Sequence, residues 1–128
     1  MAAKVMSNNI LIIDDEKIFV DLVADILQEH NYQVVAAYNV TQAFAELKSF
    51  KPDIVLLDVK LPFKNEGLEF LDRFRKTQGF EDTPVIILSA KVQLHEINAG
   101  LEAGANLYLC KPVLIEDVIE HIERILNS

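Results

Sequence analysis

Five short apolar runs recur along this chain, and each is continuous rather than alternating with polar residues. The runs are Ile10–Ile13, Val34–Ala37, Ile54–Leu57, Val85–Leu88 and Leu107–Cys110. A strand that is covered on both faces of its sheet has this pattern, because neither side of it meets water. The runs therefore predict five buried strands of a parallel sheet.

Segments of helical periodicity lie between and after the runs. The clearest two repeat apolar residues every three or four positions, at Ile18, Phe19, Leu22, Val23, Ile26 and Leu27, and at Ile115, Val118, Ile119, Ile122, Ile125 and Leu126. These stripes predict amphipathic helices whose apolar sides face the core. Parallel strands need right-handed crossover connections, so the alternation of strands and helices predicts an α/β fold, a three-layer αβα sandwich with a five-stranded parallel sheet.

Length and composition narrow the class of protein. The 128 residues, of which 51% are hydrophobic, predict one domain over residues 1–128, with residues 1–8 as a loosely ordered segment. The net charge of −8 disfavours nucleic-acid binding, which needs clustered basic residues. Since no apolar stretch approaches the roughly 20 residues of a membrane span, and no secretory signal is evident, we expect no membrane insertion and a cytoplasmic location.

Polar residues follow four of the five runs, at the edge where open parallel sheets bind their ligands. Asp14 and Asp15 follow the first run, Asp58 the third, Ser89 the fourth and Lys111 the fifth. Crowded carboxylates need a cation, and Mg²⁺ (or Mn²⁺) combines one or two carboxylates with waters and phosphate oxygens. The set predicts a site that accepts a phosphoryl group.

Asp58 is the candidate nucleophile of this site, because a carboxylate that attacks phosphorus forms an acyl phosphate. The Lys111 ammonium would neutralise charge on the phosphoryl oxygens, and Ser89 could donate a hydrogen bond to one of them. Each residue alone also fits a helix cap, a turn or a surface charge. Their combination at successive strand ends favours the site.

The chain resembles the receiver domain of two-component response regulators over nearly its whole length. The resemblance is carried by Asp14-Asp15, Asp58, Leu61-Pro62, Ser89-Ala90, Ala103-Gly104-Ala105, Tyr108 and Lys111-Pro112. It implies the flavodoxin-like strand order 2-1-3-4-5. It also implies that Asp58 is the phospho-acceptor and that a histidine kinase or histidine phosphotransfer protein supplies the phosphoryl group.

The same resemblance implies the metal ligands. Asp15 and Asp58 would bind Mg²⁺ through their side chains, Asp14 through water, and Lys60 through its backbone carbonyl. The loop between Asp58 and Gly67 departs from the family pattern, since it is one residue longer than usual.

Further roles follow for the phosphoryl group and the switch. Ser89, Ala90 and Lys111 would contact the phosphoryl group, while Ser89 and Tyr108 would form the switch that responds to it. The Lys111–Pro112 peptide bond would be cis, an isomer that is accessible mainly before proline.

Two lysines near the mouth of the site leave two interpretations open. Lys60 and Lys91 each lie two positions after a site residue, Asp58 and Ser89. They are either solvated surface charges or residues that control how water reaches the aspartyl phosphate and so set its lifetime.

The leading functional prediction is a phosphorylation-controlled signalling switch, whose covalent chemistry is limited to self-phosphorylation and autodephosphorylation at Asp58. We expect a separate output protein that binds the face of the fourth helix, fifth strand and fifth helix, unless the chain is a fragment of a longer regulator. A receiver-like scaffold that works without phosphorylation is the alternative. A Mg²⁺-dependent phosphohydrolase is disfavoured because Asp14-Asp15 is not an Asp-x-Asp motif, and a flavin or nucleotide binder because these acids would repel its phosphate.

Overall fold

The computed structural model describes residues 8–59, 66–91 and 93–127. Strands and helices alternate in it, as the sequence predicts. In chain order they are β1 (Asn9–Ile13), α1 (Lys17–Glu29), β2 (Gln33–Ala37), α2 (Val40–Glu46), β3 (Ile54–Leu57), α3 (Glu66–Arg75), β4 (Val85–Ser89), α4 (Leu94–Glu102), β5 (Leu107–Cys110) and α5 (Ile115–Leu126).

The five strands form one parallel sheet in the order β2-β1-β3-β4-β5, which confirms the predicted topology. Ile13, the last residue of β1, is in register with Ala37 of β2 and with Leu57 of β3. The direction in which strands are added reverses between β1 and β3. Ligands of open parallel sheets bind beyond the carboxyl ends of the strands at such a reversal.

Two apolar layers cover the sheet, one on each face. Leu11 and Ile13 of β1 belong to the layer that includes residues of α2 and α3, whereas Ile10 and Ile12 belong to the layer that includes residues of α1 and α5. Successive residues of a strand point to opposite faces. A strand with an apolar layer on both sides therefore needs the continuous apolar run seen in the sequence.

The apolar stripe of α1 is only partly buried. Val20, Val23 and Leu27 are buried, but Ile18 and Leu22 are 87% and 52% exposed. A residue two positions from Val20 is turned by about 200° around the helix axis, away from the sheet. The prediction that Ile18 and Leu22 face the core is therefore wrong.

The helices are short, and α1 has 13 residues. None of the helices in the described ranges is long and apolar enough to cross a membrane.

Asn31, which follows α1, has a left-handed φ of 72°, a conformation that asparagine adopts more readily than most residues. Asn31 thus ends the turn after α1.

Candidate functional site

The sheet carries Asp14, Asp58, Ser89 and Lys111 to the edge formed by the carboxyl ends of its strands. The Asp58 N–H donates to the carbonyl of Ile13 at 2.9 Å, and the Lys111 N–H donates to the carbonyl of Ser89 at 2.7 Å. The Asp14 N–H likewise donates to the last carbonyl of β2, at 3.1 Å. These bonds extend the parallel pairing just past the strands, so the backbone fixes where each side chain starts.

Three polar residues of this edge are buried among apolar ones. Asp14 is 2% exposed, Asp58 is 5% exposed and Ser89 is fully buried. Buried charges are costly unless they are paired, because the interior solvates them poorly. Two adjacent buried carboxylates therefore require a cation beside them.

The Lys111 ammonium is one such cation. Its Nζ lies 2.7 Å from Asp14 Oδ2, 2.9 Å from Glu16 Oε1 and 3.5 Å from Asp58 Oδ2. It also lies 4.3 Å from the centroid of the Phe19 ring, within the range of a cation–π contact. Burial acts to lower the pKa of Lys111, but its hydrogen bonds with Asp14 and Glu16, together with the charges of Asp14 and Asp58, raise it. Lys111 is therefore charged at neutral pH.

The carboxylates also form a possible metal site. One oxygen each of Asp14, Glu16 and Asp58 lies within 4.8 Å of the others. With Lys111 these residues form what we call the acidic pocket. Three carboxylates and one ammonium leave two negative charges, which a divalent cation would balance. Carboxylate oxygens are the ligands that Mg²⁺ and Mn²⁺ prefer, so the donor set fits such an ion.

The turn after β1 places Glu16, rather than Asp15, in the acidic pocket. The Glu16 N–H donates to Asp14 Oδ1 at 3.0 Å, a turn in which an aspartate binds the backbone two residues on. This turn brings Glu16 to Lys111 and leaves Asp15 exposed. Sequence reasoning missed Glu16 as a site residue, and its one signal was a third acid in a row. Direct metal binding by Asp15 stays a prediction.

Ser89 is connected to Tyr108 through the backbone of Lys91. The Lys91 N–H donates to Ser89 Oγ at 3.2 Å, and the Tyr108 hydroxyl donates to the Lys91 carbonyl at 2.9 Å. Burial raises the pKa of Tyr108. The Tyr108 hydroxyl is therefore a protonated donor, while Ala90 is exposed between Ser89 and Lys91.

The Lys91 side chain is bound to α4. Its Nζ lies 3.3 Å from Glu96 Oε2. Lys60, with the Leu61-Pro62 motif, lies outside the described residues, so its predicted metal-binding carbonyl and the rate-controlling hypothesis for both lysines stay predictions. The Lys111–Pro112 peptide bond is cis, the isomer that the resemblance implies.

The fold and the site together define a class of protein. It is a parallel αβα sandwich with buried acids and a lysine at the carboxyl ends of its strands. The family model of the response regulator receiver domain matches residues 10–123, which include all five strands apart from Asn9. The chain belongs to the response regulator receiver domain family. Members of this family act as phosphorylation-based switches in two-component systems.

Curated relatives support the family assignment. The phosphate regulon transcriptional regulatory protein PhoB of Pseudomonas aeruginosa is 33% identical over 122 residues, which are 95% of this chain and 53% of that protein. The transcriptional regulatory protein KdpE of Staphylococcus aureus is 36% identical over 126 residues, 96% of this chain and 53% of that protein. The chain thus spans about half the length of the curated relatives it matches.

Solved structures give the same result for the fold. A CheY-like response regulator receiver domain protein from Methanospirillum hungatei matches with a TM-score of 0.87 and 30% identity, over 95% of each chain. A response regulator from Thermotoga maritima matches with a TM-score of 0.85 and 30% identity, over 96% of this chain and 100% of that one. The five-stranded parallel sheet is thus the fold of this family.

Proposed function

We propose that this chain is a phospho-acceptor switch of a two-component or phosphorelay system, in which Asp58 receives a phosphoryl group from a histidine kinase or histidine phosphotransfer protein. The observation that carries the proposal is the environment of Asp58. Its carboxylate is buried, is 3.5 Å from the Lys111 ammonium and shares the acidic pocket with Asp14. Burial of excess negative charge lowers the stability of a fold. A buried carboxylate in this environment therefore indicates a chemical role rather than a stabilising one.

The reaction proposed at Asp58 is a phosphoryl transfer. A carboxylate oxygen of Asp58 forms a bond to phosphorus while the bond from phosphorus to the donor breaks, which leaves an acyl phosphate on the protein. Lys111 is placed to neutralise charge on the phosphoryl oxygens. A Mg²⁺ ion held by the acidic pocket, with Asp15 and the Lys60 carbonyl as further candidate ligands, would supply additional charge neutralisation.

The proposed response starts from the charge added at Asp58. Lys111 is closer to Asp14 and Glu16 than to Asp58 in the structure, so a dianionic phosphoryl group would draw its ammonium away from them. Ser89, with its Lys91 and Tyr108 contacts, would follow the phosphoryl group and change the α4-β5-α5 face, where a separate output protein would bind. Such a charge-biased two-state element is a general form of regulatory switch. A cytoplasmic location fits this proposal.

Phosphoryl incorporation should need a divalent cation. With acetyl phosphate and Mg²⁺, intact-mass measurement should show one added phosphoryl group per chain, and peptide mapping should place it on Asp58. Chelation of the metal should slow incorporation by about 100-fold or more, because the acidic pocket alone repels the incoming anion. Equal incorporation with and without metal would contradict the role of the pocket, and no incorporation under any condition would favour a scaffold that works without phosphorylation.

Loss of the Lys111 ammonium should tighten Mg²⁺ binding. Lys111 shares Asp14 and Glu16 with the proposed metal, so Lys111→Met removes a competing cation and should increase the Mg²⁺ affinity about tenfold or more, measured by calorimetry. Lys17→Met is the matched control, since it removes the same charge from an exposed lysine paired with Asp21. If both variants change the affinity equally, net charge is the cause and the competition does not exist.

A further inference from the structure

Lys91 makes three contacts that connect the site to α4. Its N–H binds Ser89 Oγ, its carbonyl accepts the Tyr108 hydroxyl, and its ammonium is paired with Glu96. The first two contacts involve the predicted switch residues, whereas the third fixes the position of Lys91 itself. The three contacts thus meet in one residue.

We infer that the ion pair between Lys91 and Glu96 is a latch that holds the Lys91 carbonyl where it accepts the Tyr108 hydroxyl, which makes Glu96 a positioning residue of the switch. This inference rests on the proposed function, because it concerns how the switch at Tyr108 is set. Glu96 is paired with Lys91 at 3.3 Å, and its negative charge also contributes to the raised pKa of Tyr108, so it lies close to both Lys91 and Tyr108.

The ion pair differs from the others in the described part of the chain that lie outside the acidic pocket. Its two side chains are 29% and 24% exposed, and it joins the turn after β4 to α4. The other pairs connect residues four positions apart and are between 49% and 75% exposed, namely Lys17–Asp21, Lys76–Asp72 and Arg124–Glu120. Because solvent and salt screen a partly buried pair less, Lys91–Glu96 contributes more than such surface pairs.

The ring of Tyr108 packs against the same side of α4 as this latch. Glu96 and Gly100 are four positions apart, which places them on one face of the helix. A Cβ built at Gly100 would lie only 3.1 Å from Tyr108 Cδ2 and 2.7 Å from Ile87 Cδ1. The absence of a side chain at Gly100 thus lets α4 lie directly on the ring. The face of α4 that carries Glu96 and Gly100 thus contacts both Lys91, whose carbonyl accepts the Tyr108 hydroxyl, and the ring of Tyr108.

Removal of the latch should therefore shift Tyr108 away from its bound position, in which its hydroxyl contacts Lys91. The expected change in the ratio of bound to released tyrosine is about two- to fivefold for Glu96→Gln, the range of a single partly exposed ion pair. The double substitution Lys91→Glu with Glu96→Lys restores an attractive pair and should restore the wild-type ratio. A residue with a merely structural role would not be rescued by exchange of the two charges.

The ratio can be measured by fluorine NMR of protein labelled with 3-fluorotyrosine, without phosphorylation. The chain has three tyrosines, so Tyr108→Phe assigns the signal. Asp72→Asn, which breaks an exposed pair on α3, is the matched control and should leave the Tyr108 signal unchanged. An unchanged signal in Glu96→Gln, or a charge exchange that fails to restore it, would overturn the latch.

The failure of the proposed function would look different. In that case wild-type protein would not be labelled by acetyl phosphate, although Glu96→Gln would still shift the Tyr108 signal. If labelling proceeds and the tyrosine ratio does not respond to Glu96, the proposed function stands and the latch is wrong. The latch also predicts a difference after phosphorylation. The fraction of Tyr108 in the released position should be larger in phosphorylated Glu96→Gln than in phosphorylated wild-type protein. Equal fractions in the two phosphorylated proteins would count against the latch.

Discussion

Asp58→Asn should reduce phosphoryl incorporation from acetyl phosphate to background, a loss of at least about 100-fold. Asparagine has nearly the shape of aspartate and still accepts hydrogen bonds, so the neighbouring backbone and Lys111 can stay in place. Its amide is not a nucleophile toward phosphorus, so no acyl phosphate can form. Intact-mass measurement at equal times with wild-type protein gives the ratio of the two rates.

Asp53→Asn is the matched control for this experiment. Asp53 precedes β3 as Asp58 follows it, and its carboxylate accepts the Asn9 N–H at 2.7 Å at the opposite edge of the sheet. This variant should be labelled like wild-type protein. Asp58→Asn should melt no lower than wild type, because it removes one of the excess negative charges of the acidic pocket. Undiminished labelling of Asp58→Asn would mean that another residue is the acceptor.

The fold could be predicted because a sheet that is buried on both faces requires continuous apolar runs in the sequence. Strands β1, β3 and β4 contact an apolar layer on each face, so each of them needs apolar residues on both sides. A strand with one face in water would instead alternate apolar and polar residues. The orientation of α1 could not be predicted in the same way. Ile18 and Leu22 are apolar, but they lie on the helix face turned about 200° from Val20 and are exposed there, so apolar character alone does not show which side of α1 is buried.

The site residues that could be predicted from the sequence are those at the ends of strands. Asp14, Asp58, Ser89 and Lys111 directly follow or end their strands, so the order of elements is enough to bring them to one edge. Glu16 enters the acidic pocket only through the turn that Asp14 forms with its backbone. Such contacts depend on local geometry and on the position of neighbouring helices, which no periodicity in the sequence reveals.

Arg75 is a further structural residue without a sequence signal, because its partners come from separate loops. Its guanidinium, at the end of α3, donates to the carbonyls of Phe80, Thr83 and Gly104 and to Asn106 Oδ1. Burial lowers the pKa of Arg75, and the nearby Asp82 carboxylate offsets part of this. Arginine nevertheless stays protonated in proteins. One cation thus satisfies acceptors in the loop before β4 and in the loop before β5.

Arg75→Met should lower the free energy of unfolding by about 2–4 kcal/mol, because it removes several charge-assisted hydrogen bonds and leaves carbonyl groups without their donor. For a chain of this size the melting temperature should fall by roughly 10 °C. Thermal and urea unfolding followed by circular dichroism would measure both quantities. Since Arg75 lies at the edge of the sheet opposite Asp58, the folded variant should still incorporate one phosphoryl group.

Arg73→Met is the control that separates these hydrogen bonds from the loss of a positive charge. Arg73 is on the same helix but exposed, with its guanidinium 4.1 Å from the centroid of the Phe44 ring, a contact that contributes about 1 kcal/mol or less. Arg75→Lys should fall between the two, because an ammonium keeps the charge but cannot reach acceptors on both sides with a planar fork. Equal destabilisation by Arg73→Met and Arg75→Met would show that charge, rather than the connection between loops, accounts for the effect.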